Sequence, residues 1–137
     1  MLTEAKVYSD NIPSIADQGK WGATYPHCKG DKQSPINIRN RYIKKGGKSC
    51  LVFENYGKEH TAIKPLNLGI TVEFHGPFGT NKSSEPTVSG GPLVGSYRLA
   101  NVHFHWGYDN TDGSEHAINS QKLPMEMHLV HYSTDFK

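Results

Sequence analysis

Two long stretches of this chain alternate between apolar and polar positions. YRLANVHFHW (97–106) runs between Gly95 and Gly107, and MEMHLVHY (125–132) lies close to the C-terminus. Alternation with a period of two predicts half-buried β-strands. A third segment, LGITVEF (68–74), is β-branched and alternates in the same way, so it too reads as a strand. The polar stretches 76–92 and 108–124 read as long loops, the second with an Asp112–Gly113 turn signal. Residues 21–37, WGATYPHCKGDKQSPIN, are rich in turn formers, and Pro35 fits a strand start or an edge. Residues 1–20 read as an irregular arm with one weak helix candidate at 11–20. No heptad or internal repeat is present. The pattern is that of a strand-rich chain.

Composition sharpens this picture without changing it. The chain has 137 residues, the length of one domain, and can bury roughly two thirds of its unfolded surface. Its 14 glycines and 8 prolines favour a turn-rich sheet over a helical bundle. A net charge of +2 is too small to imply nucleic acid or a membrane surface as partner. The five basic residues within 39–48 read as a solvated loop, because no aromatic interleaving accompanies them. No apolar run approaches the roughly 18 residues needed to span a bilayer. The N-terminal stretch MLTEAKVYSDNIPS has no apolar core, so no signal peptide is expected. Two cysteines, Cys28 and Cys50, do not make a disulfide framework. They could pair with each other, stay reduced or point to partners outside the chain.

The candidate chemistry lies on the two long strands. Side chains at i and i+2 share a face. Asn101, His103 and His105 therefore point one way, and Val102, Phe104 and Trp106 the other, where they can fill a core. On the later strand Glu126, His128 and Val130 share a face, opposite Met127, Leu129 and His131. If the two strands lie side by side, His128 joins His103 and His105. Three neutral imidazoles with an open fourth position make a catalytic zinc site. Glu126 and Asn101 are candidate acceptors for the second ring N–H of His128 and His103, a contact that fixes the tautomer of a ligating histidine. The pattern does not fix the reaction, since His-x-His pairs also serve zinc hydrolases that add a carboxylate ligand or a general base.

Four motifs narrow this. QSPINI (33–38), VHFHWG (102–107), GSEH (113–116) and MEMHLVHY (125–132) occur in the order and at about the separations of the α-class carbonic anhydrases. GGPLVGSYRLANVHFHWG resembles that family throughout, and the resemblance covers roughly residues 21–137. It implies a mostly β (α+β) fold built on a large, twisted, mainly antiparallel sheet, here incomplete. It implies a Zn(2+) cofactor held by His103, His105 and His128. The implied activity is that of a lyase, the reversible hydration of carbon dioxide to bicarbonate and a proton. Asn101 matches a position that is usually glutamine, behind the first ligand, and Glu126 matches the glutamate behind the third. Glu115 matches a catalytic glutamate that orients a gatekeeping threonine hydroxyl. Val130 matches part of the apolar wall that holds carbon dioxide.

The chain departs from the family in three places. The proton-shuttle histidine of the family falls at Leu68, which cannot carry a proton; His60 and His75 lie nearby but do not match the position. Activity is therefore expected to depend on buffer and to be slower than in fast members. A whole domain of this family is much longer, and the resemblance runs out just after the third histidine. That leads to the expectation of an N-terminal half-domain, and to a second reading as a truncated, catalytically impaired fragment that binds zinc or a partner. Cys28 matches a cysteine that secreted and membrane-anchored members pair with one in their C-terminal half, which suggests extracellular origin, with a cytoplasmic location as the alternative given the N-terminal stretch. The expected ligand is a small molecule, with no nucleic acid and no membrane segment; the oligomeric state is left open.

Overall fold

A computed structural model describes residues 19–46, 50–59 and 63–135. Its organising element is β6, Ser96–Trp106, eleven residues long. One edge of β6 pairs along its length with β8, Met125–Ser133, antiparallel. The other edge is shared in succession by two short strands, β5 (Thr87–Gly90) at its start and β4 (Val72–His75) further along. β5 in turn pairs with β2 (Leu51–Glu54), and β4 with β3 (Lys64–Asn67). These six strands form one antiparallel sheet. A separate parallel pair joins β1, Asn37–Ile38, to β7, Ala117–Ile118. The only α-helix among the described residues is α1, Trp21–Thr24, a single turn.

The two long strands form where the alternation predicts them. The third expectation is corrected: the strand near LGITVEF starts at Val72, and residues 68–71 turn the chain back from β3. Asn67 pairs with Val72, Gly69 takes φ 82°, and the Leu68 N–H donates to the Thr71 carbonyl at 3.0 Å. A positive φ of that kind suits glycine, so the alternating pattern is interrupted by a hairpin turn. The expected loops also carry structure. Residues 76–92 contain β5, and residues 108–124 contain β7. Most of the helix candidate at 11–20 lies outside the described residues; residues 19–20 form a 3-10 turn that leads into α1.

A bulge in β6 sorts its side chains. Leu99 pairs with His131 and Asn101 with Val130, so two steps on β6 match one on β8. Bulges of this type re-aim side chains by adding one residue to one strand. Here the shift puts Leu99 on the back of the sheet and Asn101, His103 and His105 on the front, while Val102, Phe104 and Trp106 stay on the back. The back face holds the core, where Leu99, Val88 and Phe78 are buried, and Phe74 meets Phe104 edge-on at 6.1 Å between centroids. On the same face the Tyr56 hydroxyl bonds to His131 Nε2, while His131 Nδ1–H donates to the Leu129 carbonyl at 2.8 Å. This core is thinner than the length suggested. Trp106, expected to anchor β6 from behind, is 49% exposed, and Leu51, Val52, Phe53 and Met127 are exposed as well.

Candidate metal centre

The front of the sheet gathers the polar residues. Directly opposed residues in an antiparallel pair share a face, with Cβ atoms about 4.5–5.5 Å apart. Across β6 and β8 the opposed pairs are Asn101 with Val130, His103 with His128 and His105 with Glu126. The three histidine rings therefore meet, with centroids 4.9 Å apart for His103 and His128, 4.6 Å for His105 and His128, and 5.2 Å for His103 and His105. One ring nitrogen from each lies within 4.8 Å of the others.

Hydrogen bonds behind the rings set their tautomers. Asn101 Oδ1 accepts from His103 Nδ1–H at 3.1 Å, and Glu126 Oε1 accepts from His128 Nε2–H at 2.6 Å. Each neutral ring then carries its lone pair on the other nitrogen. Those two atoms, His103 Nε2 and His128 Nδ1, face each other at 3.1 Å. Neither has a proton to donate, so the arrangement asks for a cation between them. Two nitrogens bound tetrahedrally at 2.0–2.1 Å would lie about 3.3 Å apart, close to the separation found. The donor set thus fits a zinc site.

Electrostatics favour the neutral form of His103. Burial lowers the pKa of His103 from its usual value, and the charges of His128 and His105 lower it further; Glu73 and Glu115 pull weakly the other way. For Glu126, burial alone would push the carboxyl up. The His116 N–H and the His128 and His116 rings outweigh that effect and hold it at about 2. A carboxylate so fixed is a firm acceptor for the His128 ring proton.

The remaining expected residues are placed as follows. Glu115 stands in front of the cluster, 3.6 Å from His105 Nδ1 and 3.5 Å from His128 Nε2. No hydroxyl contacts it among the described residues. Val130 is half-exposed beside the rings. Both line a cleft of about 1360 Å³ that also takes in Trp21, Ser34, His105 and His128. Leu68 is exposed in the β3–β4 turn. His60 lies outside the described residues. Cys28 and Cys50 are both exposed and unbridged.

Sequence reasoning missed two members of this network. His116 donates to Glu126 twice, from its backbone N–H at 2.8 Å and from Nδ1–H at 2.6 Å, and its Nε2 lies 3.1 Å from Ser34 Oγ. It was visible as the last residue of GSEH, but its target became clear only with the fold. Glu73 lies directly across from His103; nothing in VEF alone points to it.

A three-histidine cluster on an antiparallel sheet, with a carboxylate and an amide fixing two of the rings, fits a zinc site. The chain is a member of the carbonic anhydrase family: the family model "Eukaryotic-type carbonic anhydrase" matches residues 16–137. It is 39% identical over 114 residues to carbonic anhydrase 7 of Mus musculus, covering 82% of this chain and 41% of the relative. It is 34% identical over 117 residues to carbonic anhydrase 1 of Monodelphis domestica, covering 84% of this chain and 42% of the relative. The chain thus spans about two fifths of the length of the curated relatives it matches.

Proposed function

We propose that this chain binds one zinc ion through His103 Nε2, His105 and His128 Nδ1, and that it hydrates carbon dioxide reversibly to bicarbonate and a proton. The observation that carries this reading is the pair of lone-pair nitrogens, His103 Nε2 and His128 Nδ1, 3.1 Å apart with His105 beside them. As is established for carbonic anhydrases, zinc supplies Lewis acidity that brings the pKa of a coordinated water to about 7.

The chain's own residues have distinct parts in this reading. Asn101 and Glu126 hold the ring protons at His103 Nδ1 and His128 Nε2, which keeps the facing nitrogens free to ligate. His116 locks Glu126 in place. Val130 offers apolar surface against which carbon dioxide can rest. Glu115, close to two of the rings, supplies an acceptor at the mouth of the site.

A second reading has its own support. The cleft beside Glu115 and Val130 is wide, and Glu115 has no hydroxyl partner among the described residues. A site this open favours a zinc-binding product with impaired hydration. One experiment separates the two: zinc content and stopped-flow carbon dioxide hydration on the same purified sample. Zinc with hydration supports the first reading. Zinc without hydration supports the second. Absence of zinc refutes both.

A further inference from the structure

The front of the sheet extends past the histidine cluster onto β4. Glu73 is the direct partner of His103, and His75 is the direct partner of Asn101. Opposed residues share a face, so both β4 side chains stand on the metal-site side of the sheet. His75 Nε2 lies 2.5 Å from Glu73 Oε2. A carboxylate only accepts, so Nε2 carries the hydrogen and the lone pair of neutral His75 is on Nδ1. Among the described residues no group bonds to Nδ1. The His75 side chain is 42% exposed and that of Glu73 21%, so the pair runs from beside His103 out to solvent.

We infer that His75, oriented by Glu73, is the group that takes up the proton released in the proposed hydration reaction. The inference rests on that reading. Leu68, at the family's shuttle position, has no titratable group and lies in the β3–β4 turn. His75 lies diagonally across from His103, about 7–8 Å away along the sheet, a distance that one or two waters can span. A proton arriving through water adds to Nδ1 and gives an imidazolium. Glu73 stabilises that cation through the Nε2–H bond. The same Nδ1 proton then passes to a buffer base, which restores the neutral ring. No other bond forms or breaks. An imidazole ring can accept a proton at one nitrogen and give it up again, which both transfers require.

The groups facing His75 are few. Glu73 lies on its own strand. Lys64, its direct partner on β3, brings a positive charge on the same face. Asn101 and His103 face it from β6. Of these, Glu73 bonds to the ring at Nε2 and orients it.

The test pairs kinetics with a measurement that needs no turnover. In the zinc-loaded chain at low buffer, His75→Ala should lower kcat by about tenfold or more, leave kcat/KM unchanged, and recover when imidazole is added. In the zinc-free chain, nitrogen-15 NMR of the imidazoles should show His75 as the Nε2–H tautomer, and Glu73→Ala should abolish that preference. An active chain whose buffer dependence is the same with and without His75 would overturn the inference and leave the proposed function standing. A zinc-loaded chain with no hydration would end the proposed function and this inference together. A His75 ring protonated on Nδ1 in the neutral zinc-free chain would overturn the inference whatever the kinetics.

Discussion

Replacing Glu126 with glutamine tests how the ligand histidines are held. Glu126 Oε1 accepts from two rings, His116 and His128, each at 2.6 Å, and Oε2 accepts the His116 backbone N–H at 2.8 Å. Glutamine offers one oxygen and one NH2 group. With the oxygen toward the rings, its NH2 opposes the His116 N–H, donor against donor. With the amide flipped, its NH2 faces the rings. His128 must then accept at Nε2, which puts its proton on Nδ1, the atom that faces His103 Nε2. Either arrangement weakens the site, the second by blocking a ligand atom. Loss of a partner behind a metal-bound histidine lowers affinity about 10–100-fold, or about 1.4–2.7 kcal/mol. The assay is competition for zinc against a chromophoric chelator near neutral pH, on the wild-type chain and Glu126→Gln. Equal affinities in the two proteins would refute the reasoning, because the tautomer would then not depend on the carboxylate.

Other outcomes follow from the same structure. His128→Ala should abolish zinc retention on dialysis, measured as metal per chain, since one of the two facing nitrogens is gone. Acid should destabilise the zinc-free chain through Glu126: its folded pKa of about 2 lies below the ordinary carboxylate value, so its contribution is complete above about 4.5 and is lost as pH falls toward 2. The full contribution is roughly 3 kcal/mol, and acid unfolding of Glu126→Gln should lack that step. Leu99→Ala should lower stability by about 2–5 kcal/mol in urea unfolding, because Leu99 is one of few buried side chains in a thin core.

Much of this site was legible in the sequence because its two strands are long. Ten and eight residues of alternation, 97–106 and 125–132, make β6 and β8 visible, and the same-face rule unites His103 with His105; His128 joins them only because the strands pair with His103 opposite His128. The short strands were hidden for physical reasons. β2 is LVFE, an apolar run too short to distinguish from a loop end. β3 is KPLN, whose proline and lysine are tolerated because the strand lies at a sheet edge. β5, TVSG, sits in a glycine-rich stretch. The bulge between Leu99 and Asn101 has no mark in the sequence, yet it sets which positions of β6 face the core, odd-numbered before it and even-numbered after it. Contacts between elements far apart in the chain, such as His116 to Ser34 and Glu73 opposite His103, depend on register and emerge only from the fold.

The most direct test of the account is zinc K-edge X-ray absorption on the metal-loaded chain. The account predicts one zinc per chain with three imidazole nitrogens at about 2.0–2.1 Å. Fewer than three imidazoles, or a carboxylate in place of one of them, would contradict it.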